Sequence, residues 1–409
     1  MAITRTPSIH AALLLATGAL LSTEANAQTT TWEFTKIADS AAELTSFSIP
    51  SINNTGQIAF VATFDDAAEG QVVYRQETNG SLTIIADTSG PIASFSGDPH
   101  LNSSGLVTFT AKMDNDSFSV LCGNGDAPPV TIANTVTDAL TSIDSKPFIS
   151  DDAEGTVIVR AVRSADDARV ILKGTGGTPA TLLASTGTYD PVDVAGINGN
   201  GVVALEAKTL GGTVKGVYRT TDGVAVTPIA VTTDGFTAVE ALDINNNGTV
   251  VFFTETATGV GTLSVQTADS PPRAFAETPS PFNSFGPAAV AESGAVAFRG
   301  ILESGLSGIF AGGTGLYEKA IGVNDPLLGS IITVLDTGPQ AVTNTGRFVF
   351  RASRVNGTTG IYLATPSATD DGGGGGGAID GVSVTLLLLA NRWRRRPRRG
   401  PAPGGRFGA

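Results

Sequence analysis

The stretch Ile52-Asn53-Asn54-Thr55-Gly56-Gln57-Ile58-Ala59-Phe60 reads as the end of one strand, a tight turn and the start of a second strand. Asn accepts hydrogen bonds from backbone amides just ahead of it, Gly takes the positive φ that the turn demands, and apolar residues flank both. The pattern is apolar-Asn-x-x-Gly-x-apolar-x-Phe. A second copy runs from Leu101 to Phe109, with Asn102 and Gly105. The third, Ile149 to Val159, carries extra residues before Gly155. The fourth has Asn198, Gly201 and Leu205, and the fifth has Asn245, Gly248 and Phe252. The sixth has lost its Asn but keeps Gly294 and Phe298; the seventh has Asn344 one place late, then Gly346 and Phe350. Successive glycines lie 46 to 52 residues apart. Seven copies at so narrow a period define a tandem array.

Each period holds four strands. In the first they are Phe47 to Asn53, Gln57 to Phe64, Gln71 to Arg75 and Leu82 to Asp87. The third type returns as Gly216 to Arg219, Gly308 to Phe310 and Gly360 to Tyr362. The fourth returns as Val130 to Asn134, Ala180 to Ser185, Val226 to Val231 and Arg273 to Glu277. Four strands in such a period is one blade of a propeller. A β-helix coil is usually much shorter. An immunoglobulin-like bead needs roughly 100 residues, so seven copies would have to pair and leave one over. The strand from Gln57 to Phe64 is also apolar on both faces, as a sheet sandwiched between neighbours requires. The expected fold is therefore all-β, a seven-bladed β-propeller over residues 28–365. The seventh repeat lacks a fourth strand. Phe34 to Asp39, at the other end of the chain, resembles Thr83 to Asp87 and precedes the first turn. An N-terminal strand that completes the last blade would close the ring.

The two ends differ from this body. Met1 to Ala27 has Arg5 in a short basic segment, an apolar run from Ala11 to Leu21 and a small-x-small site ending at Ala27. That is the three-part pattern of a signal peptide (1–27) cut by signal peptidase. At the other end, residues 366–377 form a linker ending in Gly372, Gly373, Gly374, Gly375, Gly376 and Gly377. A short apolar segment and an arginine cluster, Arg392 to Arg399, follow within residues 378–409. The whole chain carries −13, and residues 28–377 alone carry −19. Such a surface repels phosphates and anionic lipid, so nucleic acid is not expected as a partner, nor is the membrane except through the tail. It favours solubility, cationic partners or loosely held divalent ions. Cys122 is the single cysteine, so no intramolecular disulfide forms; in its strand-like run it reads as a small buried apolar residue.

The copies resemble the NxxGxxxF tandem repeat of bacterial exported proteins that carry a choice of C-terminal anchors. Asn53/Phe60, Asn102/Phe109, Asn198/Leu205 and Asn245/Phe252 carry the likeness. The tail is similar to the GlyGly-CTERM type of sorting signal. Together these imply an exported, surface-displayed protein, transiently membrane-anchored, with a rhomboid-like protease acting on the tail. The class implies no defined activity.

Chemistry is sparse. His100 is the one histidine after residue 27 and sits just before the second turn, where other copies have Ser51, Phe148, Gly196 or Asp243. It reads as a repeat-position surface residue rather than a catalytic base. Asp243, Asn245 and Asn247 imitate the start of a calcium loop, but its twelfth position is Thr254. A plain turn is the better reading, and no cofactor is expected, with calcium the one candidate. The pairs Asp65-Asp66, Asp151-Asp152 and Asp166-Asp167 fall in turns, where solvated carboxylates are ordinary. The expected role is binding or scaffolding toward a protein or glycan. The alternative is a carbohydrate-active propeller that uses channel carboxylates, which would show a repeat-breaking cluster of Asp, Glu, Arg and Tyr at strand starts; none stands out.

Overall fold

The computed structural model describes residues 30–368, apart from 42, 210, 268, 269 and 314. The expected signal peptide, glycine run and arginine cluster lie outside the described residues. Seven antiparallel sheets follow one another along the chain, and each is one repeat. In blade 1 the strand nearest the axis is broken into Leu44–Phe47 and Ser51–Ile52; Ile58–Phe64, Gln71–Gln76 and Leu82–Asp87 follow outward. Blade 2 is Ile92–Leu101, Val107–Met113, Phe118–Gly123 and Val130–Asn134. Blades 3 to 6 repeat the order, with third and fourth strands where the repeats place them, within three residues.

Each motif glycine takes the left-handed conformation that the turn requires, from φ +64 at Gly155 to φ +92 at Gly56. The second strand of each blade is buried on both faces. Ile58, Phe60 and Ala62 pack in one cluster with Phe348 and Phe350 of blade 7. Ala59 and Val61 pack in another with Phe109 and Leu121 of blade 2. The last position of the motif turns back toward the preceding blade throughout. Phe109 shares a core cluster with Ala59, Leu205 with Ile158, Phe252 with Ala204 and Phe298 with Leu263. Burying one such side chain contributes about 1.5–3 kcal/mol, so the core is a ring of inter-blade seams rather than a single centre.

The ring closes as expected. Blade 7 consists of Ser330–Asp336, Phe348–Arg354 and Thr359–Ala368, and its outermost strand is Thr30–Asp39 from the N-terminal end. The pairing runs from Thr30 opposite Ala368 to Asp39 opposite Gly360. It is longer than the sequence suggests, because the third strand continues through Pro366, opposite Trp32, instead of ending in a loop. Trp32 sits edge-on to Phe348 with ring centroids 5.2 Å apart, and Arg354 binds the Asp39 carboxylate at 3.3 Å.

Candidate functional site

The first strands and their turns surround the axis, and the channel between them has two unlike mouths. At the turn side the motif asparagines do more than shape their own hairpins. Asn102 Oδ1 accepts from Ser104 and Leu106 N–H at 3.1 and 3.0 Å, while its Nδ2 donates to Ser150 O of blade 3 at 3.2 Å. Asn53 reaches Asn102 O, Asn198 reaches Asn245 O and Asn245 reaches Ala291 O in the same way, at 2.8 to 3.2 Å. The motif therefore faces both neighbours, its Asn reaching forward and its Phe packing backward. The residue after the motif position adds a second inter-blade bond in drifted and undrifted copies alike, as where Gly199 N–H donates to Asn246 Oδ1. Asn344 accepts from Ser293 N–H and gives its own N–H to Asn54 Oδ1.

These following residues also meet across the mouth. Glu292 accepts from Asn54 at 2.8 Å and from Asn246 at 2.9 Å, and Asn246 also donates to Asp151 at 2.5 Å. Asp151 is thus part of a polar lid rather than a solvated turn carboxylate. Beneath the lid a cavity of about 60 Å³ is lined by Asp243 and Gln340. Asp243 is 2% exposed, and its Oδ2 accepts from Val290 and Gln340 N–H at 3.0 and 3.3 Å. Burial pushes its carboxyl up to about 7. Asn245 and Asn247 do not join it as ligands of a linear loop. Asn245 Oδ1 takes Thr249 N–H, and Asn247 Nδ2 goes to Glu292 O.

The opposite mouth holds a cavity of about 150 Å³ to which all seven blades contribute. Pro50, Pro99, Pro287 and Pro339 form an apolar collar, and Asp98, Lys146, Asp193 and Glu240 stand among them. Asp98 ties two blades by accepting Ile49 N–H at 2.7 Å, and burial raises its pKa. These charges fall four or five places before the motif Asn position, scattered along the chain and gathered only where the ring closes. His100 also lines this cavity, and it is not a surface residue: it is 2% exposed and stacked on Phe148 with centroids 4.4 Å apart. Its Nδ1 lies 2.8 Å from Pro147 O. A carbonyl can only accept, so Nδ1 carries the proton and Nε2 keeps a lone pair. Burial lowers the pKa to about 4, so the ring is neutral at ordinary pH.

Elsewhere, Cys122 is buried between blades 2 and 3, and burial pushes its thiol up to about 12. Among the described residues no helix is long and apolar enough to cross a membrane.

The architecture is that of a seven-bladed β-propeller, and comparison with solved structures agrees. The chain is similar to oligogalacturonate lyase from Vibrio parahaemolyticus, at 11% identity and a TM-score of 0.53, over 83% of this chain and 98% of that one. It is similar to the β-propeller domain of the Trilobed protease from Pyrococcus furiosus, at 14% identity and a TM-score of 0.50, over 68% and 85%. That domain is described as having an open velcro topology, whereas here the N-terminal strand pairs with the last blade. The acylaminoacyl peptidase of Pyrococcus horikoshii matches at 11% identity and a TM-score of 0.51, over 80% of this chain and 52% of that one, so the chain spans about half its length. Likeness at these identities shows the fold alone. No protein-family model and no curated protein matches the chain.

Proposed function

We propose that this protein is an exported, surface-displayed propeller whose open mouth binds a basic segment of a partner protein. The observation that carries the reading is the lining of the cavity of about 150 Å³, where three carboxylates, Asp98, Asp193 and Glu240, face a single lysine, Lys146, inside a proline collar. Carboxylates and the free Nε2 of His100 are acceptors, which suits an ammonium or guanidinium tip, and the prolines suit its aliphatic stem. The −19 charge of residues 28–377 would draw such a partner by long-range attraction. The signal-peptide pattern and the glycine-arginine tail support display outside the cell. The same mouth argues for binding over proton-transfer chemistry, because an imidazole with a pKa of about 4 is a weak base at neutral pH. Calorimetric titration of the full chain with lysine-rich, neutral and acidic peptides tests the reading. Binding of the basic peptide alone, weakened by salt, is expected. Equal binding of all three, or of none, contradicts it.

A further inference from the structure

The lidded end of the channel contains two buried acceptors with nothing to accept from. Asp243 Oδ1 and Gln340 Oε1 are both enclosed and have no hydrogen-bond partner, and both residues line the cavity of about 60 Å³. Asp151 and Glu292 line it too, and among the described residues no lysine, arginine or histidine does. A buried, unpaired acceptor is costly, and a buried carboxylate more so. A proton on Asp243 neutralises that group alone and brings no positive charge to Asp151 and Glu292, which line the same cavity. A water would supply donors but no positive charge beside the carboxylates of Asp243, Asp151 and Glu292. A cation engages the acceptors and brings that charge.

The surroundings leave room for one. Gly196 holds the position in blade 4 that Asp243 holds in blade 5; a Cβ there would press on Ile244 Cγ2 at 3.0 Å and come into ordinary contact, 3.7 Å, with Asp243 Oδ1. The glycine therefore keeps the space beside that oxygen clear. Gln340 keeps its place at φ +52, a left-handed conformation that costs a non-glycine residue about 1–2 kcal/mol. We infer that the axis beneath the Asn54–Glu292–Asn246–Asp151 lid is a binding site for a hard cation, with Asp243 Oδ1 and Gln340 Oε1 as its protein ligands. All the donors are oxygen, which selects the calcium or alkali-metal class over softer metals. Among the described residues no group of three or more Asp, Glu, His or Cys is gathered around a metal position. The coordination is accordingly mixed, and the cavity holds roughly four waters to complete it. Calcium fits best, because its flexible shell accepts carboxylate, carboxamide and water oxygens together. Since Asp243 also accepts from Val290 and Gln340, a bound ion would reinforce the ties among the consecutive blades 5, 6 and 7.

The test uses the full chain, stripped with a chelator, then heated in calcium, magnesium, sodium or potassium chloride at matched ionic strength. The melting temperature should rise by several degrees with calcium, or with sodium if the site prefers a monovalent ion. Asp243→Asn should abolish the rise, and Gln340→Ala should reduce it. If Asp243→Asn does not fold, the Gln340→Ala response and the metal content of the parent chain by mass spectrometry decide. A parent chain that no cation stabilises, and that retains none after dialysis, overturns the inference.

Discussion

The two mouths of the channel are built from adjacent residues of the same seven strands, yet they are opposites. At the turn side the walls are motif residues, tied blade to blade by Asn53, Asn102, Asn198 and Asn245 and crossed by Glu292. A few residues earlier the chain stops repeating, and the mouth there stays open with its own set of charges. The lesson is that repetition serves the ring, while individuality within the repeat serves the ligand. A residue such as His100 or Asp243 has no special role by its register alone, since Ser51, Phe148 and Gly196 hold the same place.

The comparison presupposes a closed ring, and its largest test is there. Removing Thr30–Asp39 strips the outer strand from blade 7 and exposes the ten-residue edge Thr359–Ala368. Aggregation or a collapse of the melting temperature is expected in light scattering and calorimetry. A truncated chain that stays monomeric and melts like the parent would mean that the ring does not depend on this strand.

The open mouth makes its own prediction through His100. The folded chain holds its pKa at about 4, against 6.5 in the unfolded chain. Above the higher value neither form is protonated and nothing is lost. Between the two, the unfolded chain takes up a proton that the folded chain refuses, so stability falls as pH falls. The loss, roughly 3 kcal/mol, is complete below the lower value. The groups around the ring are Phe148, the Pro147 carbonyl and Lys146, whose charge acts in the same direction. His100→Gln should flatten this part of the profile when denaturant midpoints are compared with the parent from pH 7 to 4. Parallel profiles would show that the imidazole is not buried as described.

The lidded mouth predicts a smaller, local effect. Asn102→Ala removes the turn bonds and the stitch to Ser150 O, for about 2 kcal/mol in urea unfolding. Asn102→Asp keeps the acceptor but buries a carboxylate against Ser150 O, so it should cost at least as much as Asn102→Ala. An Asn102→Asp variant as stable as the parent would show that the stitch to blade 3 contributes nothing.

Much of this fold could be read from the chain. The turn glycines, the two-faced second strand and the match of Phe34–Asp39 to an outer strand are local or periodic signals, and the structure bears them out. What stayed hidden is long-range. The second hydrogen bond of each motif Asn goes to a residue 46 to 49 places away. Asp151 and Asn246 meet although 95 residues separate them. His100 looked like a surface residue because a turn-flanking position suggests exposure, whereas in a closed ring that position faces the axis. The charges of the open mouth were scattered at Asp98, Lys146, Asp193 and Glu240, and only closure gathers them.

The most direct test sets one mouth against the other. Glu240→Gln alters the open mouth, Glu292→Gln alters the lid, and calorimetric titration with one lysine-rich peptide compares both with the parent chain. The account predicts a loss of affinity of roughly two- to fivefold for Glu240→Gln, from one exposed carboxylate, and parent-like affinity for Glu292→Gln. Weakened binding in Glu292→Gln with none in Glu240→Gln would place the ligand at the other end of the channel and contradict it.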